Sequence, residues 1–125
     1  MNDQQRELLR ELVEFLSVFG SEAEYKDMSF NMDHWSCGSS ACAIGHAYYF
    51  LPSWREAGLE MTENQVFPSP VFRGQRDYDA VASFLGLSRF EAQALFDPNF
   101  YNNDDEVDPW TVAHRINAFL EGRIV

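Results

Sequence analysis

The sequence predicts a mainly α-helical single domain of about five helices, with an irregular middle that holds a small β-hairpin. Three observations predict it. Apolar residues recur at helical spacing near both ends of the chain. Capping residues and glycines bracket those runs. Proline and glycine punctuate residues 52–76, where no helical period survives. At 125 residues the chain is one domain, 1–125, able to bury roughly two thirds of its unfolded surface.

The first helix is expected over residues 3–19. Leu8, Leu12, Phe15, Leu16 and Phe19 share one face, while Arg6, Glu7, Arg10, Glu11 and Glu14 lie largely outside it. Glu7 and Glu11 are spaced to pair with Arg10 and Arg6. Gly20 and Ser21 close the helix. Residues 22–36 read as a loop or short extended piece that lays Phe30, Met32 and Trp35 onto the core. Ser39 or Ser40 caps a second helix that Pro52 stops after Leu51. Ala41, Ala43, Gly45 and Ala47 keep this helix thin, which places it centrally, close to its neighbours.

Within residues 52–76 a strand pair is expected at Glu60–Met61 and Val71–Phe72. Asp77–Leu85 comes next as a short helix ending at Gly86. Ser88, with Glu91 three residues on, makes a capping box for a helix through Phe96. Residues 98–108 form an acidic, Asn-rich loop. Asp108 caps the last helix with Pro109 in its first turn. Val112, Ile116, Phe119 and Leu120 are its buried face, and Gly122 closes it.

Apolar residues make up 46% of the chain, which excludes disorder. Eleven phenylalanines predict a core of flat rings rather than branched aliphatics. Twenty acids against nine bases give a formal charge of −11. That sign opposes direct binding to nucleic acid or to an anionic membrane, and favours rapid encounter with basic surfaces. Two cysteines make no disulfide framework, no apolar run is long enough for a bilayer, and the charged start has no signal-peptide pattern. A reducing cytoplasm is therefore expected, with both thiols free or metal-bound.

The run Phe30 to Ala47, F-x-M-x-x-W-x-C-G-S-x-x-C-x-x-G-H-A, resembles a group of small bacterial and phage-encoded proteins with a Cys-Gly-Thr/Ser-x-x-Cys-x-x-Gly core. Leu85 to Phe96 is similar to the downstream stretch of those proteins. In that group a tryptophan often stands where this chain has His46. The resemblance implies a phage or mobile-element setting and little chemistry.

Four constellations are candidates for a site. His34, Cys37, Cys42 and His46 are two thiols and two imidazoles, the donor set of a tetrahedral zinc site, though the spacing matches no standard finger. Cys37, ahead of a helix N-terminus, is also placed as a nucleophile with His34, His46 or His114 as base. That alternative is a Cys- or zinc-dependent enzyme centred on Cys37, Cys42 and His46. Residues 77–96 resemble a helix-turn-helix with Ala82, Leu87, Ala92 and Leu95 inside, an alternative as a DNA-binding regulator. Its second helix offers only Arg89 and Gln93 to bases, with Arg76 upstream. Asp97, Asn99, Tyr101, Asn103, Asp105 and Asp108 alternate like a calcium loop, but without glycine at the sixth position or glutamate at the twelfth.

The acids are the remaining signal. Asp97, Asp104, Asp105, Glu106 and Asp108 form one cluster; Glu56, Glu60 and Glu63 form a second; Glu22, Glu24, Asp27 and Asp33 form a third. Carboxylates held on a rigid scaffold can imitate DNA phosphates in a basic cleft, with Phe100 and Tyr101 as anchors. The expected function is noncatalytic and needs no cofactor. An acidic phage or mobile-element protein binds the basic, nucleic-acid-binding surface of a host protein, for example as a DNA-mimicking inhibitor of a defence system such as CRISPR.

Overall fold

The computed structural model describes residues 1–19, 24–25, 28–32, 35, 40–62, 68–101 and 107–123. Among them are six α-helices: α1 (Asp3–Phe19), α2 (Ala43–Phe50), α3 (Pro52–Glu56), α4 (Asp77–Leu85), α5 (Arg89–Phe96) and α6 (Pro109–Leu120). Two small three-stranded sheets are also found among the described residues. In one, β1 (Glu24–Tyr25) runs antiparallel to β2 (Met28–Phe30), which pairs in parallel with β3 (Ser40–Ala41). In the other, β4 (Glu60–Met61), β5 (Pro70–Phe72) and β6 (Gln75–Arg76) form an antiparallel meander.

The fold class is the expected one, and several elements fall on their expected bounds. α1 spans residues 3–19, α4 runs Asp77–Leu85, and Gly86 comes after it with φ 67°, a left-handed conformation that glycine adopts without strain. Ser88 and Glu91 complete the capping box of α5. Asp108 accepts the Thr111 N–H at 2.7 Å and caps α6, with Pro109 at its start. The pair β4–β5 carries the expected hairpin, extended by β6 through a turn in which Arg73 and Gly74 both have positive φ, as a type I′ hairpin turn requires.

Three expectations need correction. The second helix starts later than its serines imply. Ser40 is paired in β3, and Cys42 occupies the cap position without a side-chain cap bond. α3 lies within the stretch read as irregular, where Pro52 opens a helix as well as ending α2. The core is not mainly flat rings. Among the described residues, only Trp54, Phe96 and His46 of the twelve largest fully buried side chains have rings; the other nine are Leu, Ile and Val. Among the described phenylalanines Phe30, Phe84 and Phe96 are buried, whereas Phe15, Phe50, Phe72, Phe100 and Phe119 are half-buried and Phe90 is exposed, so most of them seal the rim.

Leu9, Leu12 and Leu16 of α1 meet Val112 and Ile116 of α6 in one cluster with Ile44, Ala47, Leu85 and Leu95. Leu9, outside the expected stripe, is fully buried, whereas Phe15 only borders the core. α1 and α6 are antiparallel. Arg6 near the start of α1 donates to the Leu120 carbonyl at the end of α6, and Val13 and Ser17 meet Trp110 and Ala113 near its start. Gly45 lets α2 lie against the chain at Trp35 and Ala41, as the small residues imply. Phe30 and Met32 are buried and Trp35 packs on the core, again as expected.

Candidate partner-binding surface

The described contacts gather carboxylates where α1 meets α3. Glu7, Glu11 and Glu14 of α1 and Glu56 of α3 line a groove of about 480 Å³, closed by Gln4, Leu8, Ser53 and Ala57. Among the described residues the one base lining it is Arg10, whose guanidinium lies 2.6 Å from Glu7. Both side chains of that pair are largely exposed, so the bridge contributes under about 1 kcal/mol. Glu11 accepts the Ser53 hydroxyl, which ties α3 to α1. Arg6 does not pair with Glu11, which stands five residues on and too far round the helix to face it; it donates to the Leu120 carbonyl at 3.3 Å. Arg55 and Arg115 likewise donate to main-chain carbonyls, of Tyr48 and Phe100. Three of the nine bases therefore donate to backbone carbonyls rather than to carboxylates in these contacts.

Among the described residues, Glu56 alone of the expected binding residues lines this groove. Glu60 is exposed on β4. Asp97 sits at the end of α5 and accepts the Asn99 N–H at 2.9 Å; Asp108 caps α6. Both carboxylates thus have local structural roles besides their charge. Phe100 is half-buried and meets exposed Phe90 edge-on, with centroids 5.8 Å apart. Tyr101 is placed beneath the surface. It is 8% exposed, its hydroxyl donates to the Leu95 carbonyl at 2.6 Å, and Arg115 covers its ring. Burial pushes its phenol pKa well up, and Arg115 only partly opposes that. Asp104, Asp105, Glu106 and Glu63 lie outside the described residues, as do His34 and Cys37. Most of the third acidic cluster, Glu22, Asp27 and Asp33, lies outside them too.

The groove acids of α1 escaped the sequence reading because they look like the solvated face of an ordinary helix. Their spacing at positions 7, 11 and 14 marks one face. What makes that face a groove is α3, which is too short to show a helical period.

The thiol segment is described in part. Cys42 is 2% exposed and His46 fully buried, its ring among Phe15, Phe30 and Phe50. His46 Nδ1 lies 3.0 Å from the Cys42 carbonyl, which also accepts the His46 backbone N–H at 2.9 Å. With the carbonyl as acceptor, Nδ1 carries the proton. Among the described residues no three His, Cys, Asp or Glu side chains come close enough to hold a metal ion. In the calcium-loop pattern, the Tyr101 hydroxyl is engaged with Leu95 and the Asp97 carboxylate with Asn99.

Burial pushes the Cys42 thiol up from 9.0 to about 11, although the N–H groups of Gly45 and Ile44 pull it partway back. A raised pKa means the fold favours the protonated thiol. That stabilisation is present below pH 9, declines as pH rises, and is lost near pH 11. Native Cys42 is therefore expected to resist iodoacetamide at pH 8 and to react within minutes once the chain is unfolded in urea. Peptide mapping of the alkylated site checks this, and rapid native labelling of Cys42 contradicts it.

The hairpin α4–α5 buries Ala82, Ala92 and Leu95, with Leu87 half-buried, as its pattern implies. Arg89, one of its bases, lies 3.5 Å from Asp79. Among the described residues no helix is long and apolar enough to cross a membrane. No family model, no curated protein and no solved structure matches the chain.

Proposed function

We propose that this chain is a noncatalytic, acidic binding protein of a phage or mobile element that occupies the basic surface of a host protein. A DNA-mimicking inhibitor of a nucleic-acid-binding defence complex is the form we favour. The observation that carries the reading is the α1–α3 groove, where Glu7, Glu11, Glu14 and Glu56 face outward around a single arginine already engaged by Glu7.

The spacing supports mimicry. A rise of about 1.5 Å per residue sets Glu7, Glu11 and Glu14 about 5 Å apart along the helix axis. One DNA strand presents a charge about every 3.4 Å of axis. A cleft lined for phosphates thus meets a carboxylate row about two thirds as dense as one strand, held by α1 and its buried leucines rather than by a flexible tail. The net charge of −11 supplies long-range attraction to such a cleft and repulsion from nucleic acid itself.

The test is a binding screen against host nucleic-acid-binding proteins, with DNA as competitor. Affinity is expected to fall about tenfold or more between roughly 50 and 300 mM salt. The triple variant Glu7→Gln, Glu14→Gln, Glu56→Gln leaves the Glu11–Ser53 contact intact and is expected to bind at least about tenfold more weakly, with a shallower salt dependence. Binding that ignores salt, or that the triple variant retains in full, overturns the reading.

A further inference from the structure

A second cleft lies beside the acidic groove on α1. Val13 and Ser17 of α1, with Trp110, Ala113, His114 and Asn117 of α6, line a cleft of about 160 Å³. Trp110 stands over it 53% exposed, with the His114 ring 3.9 Å from its own, centroid to centroid. Val18, on the next turn of α1, is 85% exposed. A large indole left open beside a cleft gives up burial that a monomer would normally take, and such side chains concentrate binding energy at interfaces.

The cleft and the acidic groove belong to one surface. Glu14 lines the groove and Ser17 the cleft, and residues three apart on a helix are neighbours, about 5–6 Å between Cβ atoms. Charge selects the occupant. A second copy would bring another −11 against the same acids, whereas a basic partner is drawn in by them. Among basic side chains, arginine suits an exposed indole best. Its flat, weakly hydrated guanidinium stacks on the ring face and takes up the attraction of the ring's π electrons.

From this we infer that Trp110 is an arginine-stacking anchor: the basic partner lays an arginine on its indole while neighbouring cations meet Glu14 and the groove. The inference rests on the acidic-surface reading, to which it adds the side chain that is recognised. Lysines alone satisfy the groove; the indole is what prefers arginine.

The experiment uses two probes, a nine-residue oligo-arginine and an oligo-lysine of equal length, titrated by calorimetry at low salt. The wild-type protein is expected to bind oligo-arginine about fivefold more tightly than oligo-lysine. Trp110→Ala, on an exposed position, is expected to erase that preference and leave the salt dependence unchanged. The Glu7→Gln, Glu14→Gln, Glu56→Gln variant is expected to weaken both probes and keep the preference. A preference that survives Trp110→Ala, or that is absent from the wild type, overturns the anchor while the groove stands. Failure of both probes to bind the wild type overturns both readings. Self-association of the wild type that Trp110→Ala abolishes assigns the cleft to a second copy, against the inference.

Discussion

Gly45→Ala is expected to destabilise the protein by about 3 kcal/mol or more, although alanine is the better helix former. A Cβ at this position would stand 2.1 Å from the Trp35 carbonyl oxygen and 2.6 Å from the Ala41 Cβ. Neither neighbour is the free end of a flexible side chain. Trp35 offers main chain that also accepts the Cys42 N–H at 3.4 Å, and Ala41 is paired in β3 with Phe30. Relief therefore requires α2 to move off the strand it rests on, and α2 carries Ile44, His46 and Ala47 into the core. Helix propensity works the other way by about 1 kcal/mol, so the measured loss understates the clash. For a chain of this size the melting temperature should drop by roughly 12 °C. A thermal melt unchanged or raised would mean that α2 does not pack as closely as described.

Trp54→Ala and Trp54→Phe should part company. Trp54 is fully buried on α3, its ring 5.5 Å from Phe84 centroid to centroid. Its truncation to alanine is expected to cost about 4 kcal/mol through lost apolar contact and the cavity left behind. The indole N–H, however, is buried with no hydrogen-bond partner among the described residues. An unpaired buried donor costs about 1–3 kcal/mol, and phenylalanine removes it while keeping most of the ring. Trp54→Phe is therefore expected to lose only about 1 kcal/mol. Urea unfolding of both variants measures the difference, with the slope of the transition checked for constancy. Equal losses would show that the N–H is satisfied after all.

The legibility of each element in the sequence depends on the range of the signal behind it. Local chemistry was readable. Ser88 with Glu91, Asp108 with Pro109, and Gly86 after Leu85 each declare a helix end by themselves, and those ends stand where they were expected. Tertiary choices were not readable. Whether Ser40 caps a helix or joins a strand depends on whether Ser29 is there to pair with it. Phenylalanine count says how many rings exist, not whether they fill the centre or seal the edge. The groove depended on bringing α3, five residues with no period of their own, against α1. Glu56 was identified from composition; its companions Glu7, Glu11 and Glu14 needed the fold. The Trp110 cleft needed it too, since a tryptophan near a helix start reads equally well as core.

The three tryptophans occupy three depths: Trp54 sealed inside, Trp35 half-covered against Tyr78, and Trp110 open to solvent. That spread equips the protein with its own optical reporters. Emission from Trp54 should be blue and shielded from iodide, while that of Trp110 should be red and readily quenched. Engagement of the α6 face would then dim one colour and core melting the other, in a single unlabelled sample.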